Sequence, residues 1–374
     1  MGDLVVYKEN QIDIIKKITY YKKLGINAIL LDPFIKLDEE IIEKVLFINS
    51  LLADKSIKLF VKIDMKKISS LLLDTKEEDL AWNDPKIRKS FYQFINYLKK
   101  HDISGLYFSN FEDLFFDNSS FYLREMSKNI LATNEITSIV EVDSDDLNYQ
   151  NYLSRGKSGL FSYIFNKNLI DNQNAFLDSK KCLSAIQDRN INQIYTTDNN
   201  LKNFTNNKNF PFLTSSLLAG VSFLLKGAII LKDFEELGIF SSSNYSNDYK
   251  VLDQTNKTFE FYQKLIKIKI QKEAIIEGKY REIFDKDPDI FAFIRTFKNK
   301  KIIVFANFTQ KEILADIRFH FIDRNDFHYL LGNYGRRKIV KNLLLRPYEF
   351  IALSLIHISE PTRRLMASRM PSSG

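Results

Sequence analysis

The residues that could do chemistry sit at the ends of short apolar runs. Tyr107 and Ser109 lie in ISGLYFSN (Ile103–Asn110), Glu141 in SIVEV (Ser138–Val142), and Asp198 and Asn199 in IYTTDN (Ile194–Asn199). A serine becomes a nucleophile only beside a general base, and no His lies near Ser109 in sequence. Glu141 by itself reads as a solvated strand-end carboxylate. His101 and His328 fall in helix-end and loop contexts and His320 in a strand-like run. None of the three has a neighbour at metal-ligand spacing, so no metal site is expected. With only 12 Gly and no glycine-rich phosphate loop, no nucleotide or other cofactor is expected either.

These positions need elements to carry them. LVVYKE (Leu4–Glu9) reads as a buried strand, and QIDIIKKITYYKKLG (Gln11–Gly25) as a helix stopped by glycine. Strand Ile26–Phe34, helix Glu39–Leu52 and strand Ile57–Ile63 follow. Asp84 and Pro85 form a cap and first-turn signal for a helix over Lys86–Lys100. Strand Gly105–Ser109, helix Ser120–Leu131 and strand Ile136–Val142 continue the pattern. Later come strand Gln193–Thr196, helix Phe212–Leu225 and strand Ala228–Leu231. Continuously apolar strands alternating with helices predict a parallel sheet covered by helices. Periodicity alone leaves an open doubly wound sheet and an eight-fold barrel both standing. After an amphipathic helix over Lys257–Ile270 the pattern changes to short antiparallel strands at Tyr280–Phe284, Ile290–Thr296, Lys301–Asn307 and Tyr348–Leu353.

Bulk properties narrow the class. The 374 residues are 45% hydrophobic and 27% charged, as in ordinary globular proteins. No run of 18 apolar residues occurs, so no membrane span is expected. The start, MGDLVVYKENQ, has no basic region followed by an apolar stretch, so no secretory signal is expected. The net charge of +7 comes from lysines interleaved with acidic residues, which predicts solvated helix faces and no nucleic-acid partner. The single cysteine, Cys182, on an apolar helix face, forbids an internal disulfide and fits a reducing cytoplasm. Trp82 is expected to pack the entry of the helix that follows it. From Ile356 to Gly374 the chain has no strand or helix period, resembles translated adapter sequence, and is expected to be disordered.

The succession of IKLFVKID (Ile57–Asp64), DLAWNDPKIRKSFYQFINYLKK (Asp79–Lys100) and ISGLYFSN resembles the alpha-amylase superfamily, nearest its oligo-1,6-glucosidase and alpha-glucosidase branch. ITYYKKLGINAILLDPF is similar to that family's first helix–strand unit. FLLKGAIILKDFEELGI (Phe223–Ile239) is similar to its last barrel strand, and LRPYEFIALSL to the last strand of its C-terminal β domain. The resemblance implies a (β/α)8 TIM barrel over residues 1–278, a C-terminal antiparallel β-sandwich domain over 279–355, and the foreign-looking tail over 356–374. It also implies a shortened top. Strand Leu4–Glu9 runs almost directly into the helix at Gln11, and only fifteen residues separate Asp64 from Leu80, where the family inserts a subdomain.

The same resemblance implies which chemistry is missing. The family's G-F-R-x-D strand falls on Gly105–Ser109, putting Tyr107 at the Arg and Ser109 at the nucleophilic Asp. Its D-x-V-x-N-H falls on Lys62, Lys66 and Lys67, so Asp, Asn and His are all absent. Glu141 falls on the general acid. Asp198 falls on the family's His and Asn199 on its Asp, or Asp198 on the Asp with a one-residue gap. Tyr107, at a strand top, is placed to line a sugar-stacking surface. Retaining glycosidases need two carboxyl groups across the scissile bond, and an acid without its nucleophile does not meet that need. The expectation is a degenerate alpha-glucosidase-like protein. Its expected partner is an alpha-glucoside or oligosaccharide, its hydrolysis is lost or reduced, and a non-catalytic carbohydrate-binding or interaction scaffold is the alternative.

Overall fold

Eight parallel strands form one sheet: β1 (Val5–Glu9), β2 (Ala28–Leu31), β3 (Lys58–Asp64), β4 (Gly105–Ser109), β5 (Thr137–Val142), β6 (Tyr163–Asn166), β7 (Ile194–Thr196) and β8 (Ala228–Leu231). The computed structural model describes residues 4–9, 14–32, 39–67, 82, 84–112, 119–131, 136–154, 160–166, 176–196, 211–232, 234–238, 257–316, 327–336 and 342–356. The strands lie in the order β6-β5-β4-β3-β2-β1-β8-β7. A parallel bridge between Ile164 and Gln193 brings the two ends of that row together. The expected (β/α)8 barrel is therefore the observed fold, and an open sheet is excluded. Among the described residues no helix is long and apolar enough to cross a membrane.

Strand alternation divides the apolar residues into two cores. Leu4, Val6, Leu30, Phe60, Ile139 and Ile230 belong to one cluster inside the ring. Val5, Ile29, Leu59, Val61 and Leu106 face the helices and join the larger outer core. Phe60 is fully buried and sits opposite Gly105 in the β3–β4 register. A Cβ at Gly105 would lie 2.1 Å from the Phe60 ring, so the absent side chain is what admits the aromatic one.

The helix after β1 begins as a 3-10 turn at Ile15–Lys17 and runs as α-helix over Ile18–Leu24, closed by Gly25 at φ 92°. The helix expected at Lys86 starts at Pro85 and ends at Lys100, and the Asp84 carboxylate accepts from the Lys86 amide at 2.8 Å. Trp82 is buried, and its ring meets Phe91 edge-on at 5.3 Å, as expected of a residue packing this helix entry. The helix expected over Ser120–Leu131 is α-helical at Ser119–Met126 and loosens into a π-turn at Ser127–Leu131. The sequence reading missed β6. It is only four residues long with half of them partly exposed, so it lacks the unbroken apolar run that marks the other strands.

Beyond the helix Lys257–Gln271, an antiparallel sheet holds β9 (Lys279–Ile283), β10 (Ile290–Phe297), β11 (Lys300–Asn307), β13 (Phe327–Gly332) and β15 (Phe350–Ile356). Its Phe291, Phe293, Val304 and Phe350 face the barrel helices. Its Ile290, Ile294, Phe305 and Leu353 meet Leu343 and Leu345 of a second, two-stranded sheet, β12 (Ile313–Asp316) with β14 (Asn342–Leu345). β12 and β14 escaped the sequence reading because each keeps a large apolar residue outside; Leu314 and Leu344 are exposed. β15 takes in Ile356, paired with Lys300, the first residue of the segment expected to be foreign. The rest of that tail lies outside the described residues, as does His320. Buried cations clasp the barrel to the sheet. Lys180 donates to the carbonyls of Phe284, Asp287 and Ile290 at 2.8, 2.9 and 2.9 Å. Arg295 donates to Gln187 Oε1 at 2.9 Å and to the Ile275 carbonyl at 3.1 Å.

Overpacking a filled core costs about 1–3 kcal/mol. Gly105→Ala should therefore lower the calorimetric thermal midpoint by several degrees, and Phe60→Leu in the same background should recover much of the loss. An unchanged midpoint in Gly105→Ala would remove Phe60 from the barrel interior.

The phenols predict an alkaline limit. Burial first, and then a nearby carboxylate, holds Tyr20 (Glu236), Tyr92 (Glu125) and Tyr107 (Glu141) above the ordinary phenol value. Burial also raises Tyr280, and pushes Tyr149 up to about 12. A folded value above the unfolded one, near 10, contributes stability that is complete below that pH and is lost as pH rises past it. Urea midpoints should hold to about pH 9.5 and fall steadily above 10, with tyrosinate absorbance appearing only on unfolding. Tyrosinate absorbance growing in the native protein near pH 10 would contradict this.

Candidate functional site

The inward rows of the strands end in polar side chains at the carboxyl end of the barrel, the end where barrel proteins carry their sites. β1 ends its row in Lys8, β3 in Lys62 and Asp64, β4 in Tyr107 and Ser109, β5 in Glu141, and β7 in Thr196. Just beyond β2 and β8 the same rows reach Asp32 and Lys232.

Two contacts organise the described part of this mouth. The Tyr107 hydroxyl donates to Glu141 Oε2 at 2.6 Å. Lys62 Nζ meets Asp32 Oδ2 at 2.6 Å. Burial, then the Glu141 charge, then Asp32 at longer reach, keep the Tyr107 phenol protonated well above its ordinary range. Tyr107 thus stands under the influence of two carboxylates. Its ring lies 6.3 Å from that of Phe165 on β6. The sequence expectation brought Tyr107 and Glu141 to one mouth, and the structure bonds them to each other.

Ser109 is 3% exposed, and among the described residues its hydroxyl has no hydrogen-bond partner. Asp64 stands beside it in the register and accepts from Asn110 Nδ2 at 2.7 Å and from the Lys66 amide at 3.1 Å. Asn110 takes φ 52°, a left-handed conformation that asparagine tolerates, to turn the chain away from β4 at this point. Asp198 and Asn199 lie outside the described residues. Among the described residues no group of three or more His, Cys, Asp and Glu side chains gathers as metal ligands. His101 caps its helix, with its ring 4.5 Å from Tyr97, and His328 lies on β13. Cys182 is half-buried against the outer core, and burial raises its thiol.

Behind the mouth, on the helix side of β1, a second polar layer fixes the strand ends. Glu9 accepts from Lys17 at 2.8 Å and from the Tyr21 hydroxyl at 2.5 Å. Glu236, in the turn after β8, accepts from the Tyr7 hydroxyl at 3.2 Å and from Tyr20. The Phe234 amide donates back to Tyr7 at 3.0 Å. Both glutamates are essentially inaccessible to water. Buried carboxylates in this state are held by the groups that donate to them, so the arrangement is rigid.

Sequence reasoning named Tyr107, Ser109 and Glu141 but missed Asp32, Lys8, Thr196 and Lys232 as mouth residues. The signal was present. Counting by two from Leu4, Leu30, Ile194 and Ala228 assigns Lys8, Asp32, Thr196 and Lys232 to the inward rows once a closed barrel is assumed.

No family model matches the sequence. Among curated proteins, an oligo-1,6-glucosidase of Bacillus cereus is 31% identical over 110 residues, which is 29% of this chain and 20% of that protein. A trehalose-6-phosphate hydrolase of Bacillus subtilis (strain 168) is 36% identical over 110 residues, with the same shares. The matched stretch thus spans about a fifth of the length of these relatives. Among solved structures, the Bacillus licheniformis trehalose-6-phosphate hydrolase superposes with a TM-score of 0.77 at 15% identity, covering 95% of this chain and 99% of that one. A trehalulose synthase superposes with a TM-score of 0.76 at 14% identity, covering 94% and 99%. The sequence relatives over that stretch and the solved structures with the same barrel and C-terminal β-sheet agree with the expected resemblance: the chain is similar to the alpha-amylase superfamily in a fifth of its relatives' sequence and in its whole fold.

Proposed function

We propose that this chain is an alpha-glucosidase-like protein of carbohydrate metabolism that takes an alpha-glucoside or oligosaccharide into the barrel mouth, and that its hydrolytic activity is lost or far below that of the glucosidases it resembles. The observation that carries this reading is Ser109. On the resemblance it falls on the family's nucleophile, it is buried, and its hydroxyl has no hydrogen-bond partner among the described residues. A serine hydroxyl without a base to remove its proton is a poor nucleophile. Glu141 keeps the residue type and strand-end position of the family's acid, with Tyr107 fixing its carboxyl. Tyr107 and Phe165 supply ring surface for a sugar face. The single cysteine fits a reducing cytoplasm.

The second reading, a binder with no catalysis at all, is favoured by one observation. The other carboxylate that acts on Tyr107, Asp32, is engaged by Lys62 at 2.6 Å. A working enzyme needs a second carboxyl free to face the scissile bond.

Assays with aryl alpha-glucosides separate these readings. Loss of a catalytic residue costs on the order of 10⁴-fold or more in rate, so the wild type should turn over at least that far below an active glucosidase. Ser109→Asp should raise turnover above the wild type, and Glu141→Gln should abolish whatever trace remains. Robust wild-type turnover would overturn the degenerate reading. Turnover that survives Glu141→Gln would remove Glu141 from the acid role. Calorimetric titration with isomaltose should show saturable binding in the wild type. Absence of binding to every alpha-glucoside tried would overturn the ligand class.

A further inference from the structure

Strand register sets a second carboxylate across from Glu141. β3 and β4 align Phe60↔Gly105, Lys62↔Tyr107 and Asp64↔Ser109. β4 and β5 align Tyr107↔Ile139 and Phe108↔Val140, so the next step brings Ser109 beside Glu141. The rows of Phe60, Tyr107 and Ile139, which fill the barrel interior, end in Asp64, Ser109 and Glu141. One level of the mouth therefore carries Asp64, Ser109 and Glu141 on three neighbouring strands. Adjacent strands lie about 4.8 Å apart, which puts the α-carbons of the two acids roughly 9–10 Å apart. Inverting glycosidases hold their two carboxyl groups about 6.5–9.5 Å apart with a water between them, whereas retaining ones bring theirs to about 5–5.5 Å. Two acids separated by one intervening strand suit the first arrangement.

Asp64 is fixed on one side and open on the other. Its Oδ1 accepts from Asn110 Nδ2 at 2.7 Å and from the Lys66 amide at 3.1 Å. Its Oδ2 accepts no hydrogen bond among the described residues, and Lys67 Nζ stands 3.9 Å from it. Asp32, by contrast, is engaged by Lys62. A second, independent observation lies between the two acids. The Ser109 hydroxyl is buried and has no partner among the described residues. Buried hydroxyls are almost always bonded, so an unbonded one flanked by two carboxylates marks a place for a water molecule.

We propose that the hydrolysis left to this chain inverts the anomeric carbon, with Asp64 as general base, Glu141 as general acid and Ser109 holding the attacking water. The proposal deepens the glucoside reading and rests on it for the substrate. Asp64 Oδ2 takes a proton from the water as the water oxygen bonds to the anomeric carbon. The glycosidic bond breaks on the opposite face, and Glu141 gives its proton to the departing oxygen. Asp64 ends protonated and Glu141 ionised, and exchange with solvent resets both. An alpha-glucoside thus yields beta-glucose. No sugar becomes bonded to the protein, so this route needs no carboxylate at position 109. The small serine leaves the room that the water takes.

Proton NMR of the full chain at high protein concentration, with an aryl alpha-glucoside and with alpha-glucosyl fluoride, reads the anomer released before mutarotation. Beta-glucose should appear first with the wild type. Ser109→Asp sets a carboxylate on the strand next to Glu141, at retaining distance, and should turn the first product to alpha-glucose. Asp64→Asn should lower turnover about 10²-fold or more. Azide attacks without a proton to lose, so in Asp64→Ala it should restore bond cleavage and release beta-glucosyl azide. Glu141→Gln should lose the aryl glucoside but keep the fluoride, whose leaving group needs no proton. Thermal midpoints report whether each variant remains folded. Alpha-glucose appearing first from the wild type would overturn inversion and leave the glucoside reading standing. Undiminished turnover in folded Asp64→Asn, or no azide rescue in folded Asp64→Ala, would overturn the role of Asp64. Saturable binding of isomaltose with no turnover of either substrate would overturn the inverting route and leave a sugar binder. Neither binding nor turnover would overturn both.

Discussion

Closing eight parallel strands into a ring sends alternate residues of every strand into a space that only side chains can fill. In this chain the contact that makes closure possible is Phe60 against the bare backbone of Gly105. An aromatic ring inside the ring of strands needs one neighbour with no side chain, and β4 supplies it. Everything at the mouth inherits its direction from that packing. Tyr107 and Ser109 follow Gly105 on the same row, and Lys62 and Asp64 follow Phe60. A slip of one residue in either strand would turn both sets toward the helices. The positions of the polar groups at the mouth are therefore consequences of how the apolar interior is filled.

The same alternation explains why so many charged groups are buried without unfolding the chain. Tyr7 and Glu9 take the outward positions of β1 and meet Lys17, Tyr20 and Tyr21 from the first helix, with Glu236 arriving from the turn after β8. Each carboxylate is met by donors, so burial costs far less than it would for an isolated charge. At the opposite end of the chain, Lys180 and Arg295 cross from helix to sheet and end on backbone carbonyls. Removing one partner from such a contact leaves the other buried and unmet, which is the larger penalty. These contacts tie β1 to the turn after β8 and the barrel to its β-sheet, so the mouth sits on a scaffold fixed from two sides.

How much of this was legible follows from where side-chain periodicity is strong. β4 and β8 were read to the residue, because their apolar runs are unbroken and bounded by Gly105 and Gly227. The helix at Pro85 was read to one residue, because Asp84 and Pro85 announce its start. β6, β12, β13 and β14 were missed, being strands that leave alternate or most positions open or partly open to water. At the site, Tyr107, Ser109 and Glu141 were singled out through the family resemblance, which implies chemistry at each of their positions. The pairing of Lys62 with Asp32 was not visible, because the two are thirty residues apart and meet only through the β2–β3 register.

The exchange of side chains at the mouth has an electrostatic logic. On the proposed correspondence, the family's Asp and Arg on the fourth strand would give way here to Ser109 and Tyr107, and its Asp on the third to Lys62. Losing a cation from β4 would leave Glu141 without a donor, and the Tyr107 hydroxyl fills that role at 2.6 Å. Gaining a cation on β3 would leave it unpaired, and Asp32 on the next strand meets it at 2.6 Å. Each change on one strand is answered on its neighbour, as adjacent inward positions in a closed barrel require. Ser109 and Thr196 are the exceptions on those rows, buried with no partner for their hydroxyls among the described residues. The described mouth is thus one in which most polar groups on the inward rows satisfy each other across neighbouring strands, a consequence of burying them together at the end of a closed barrel.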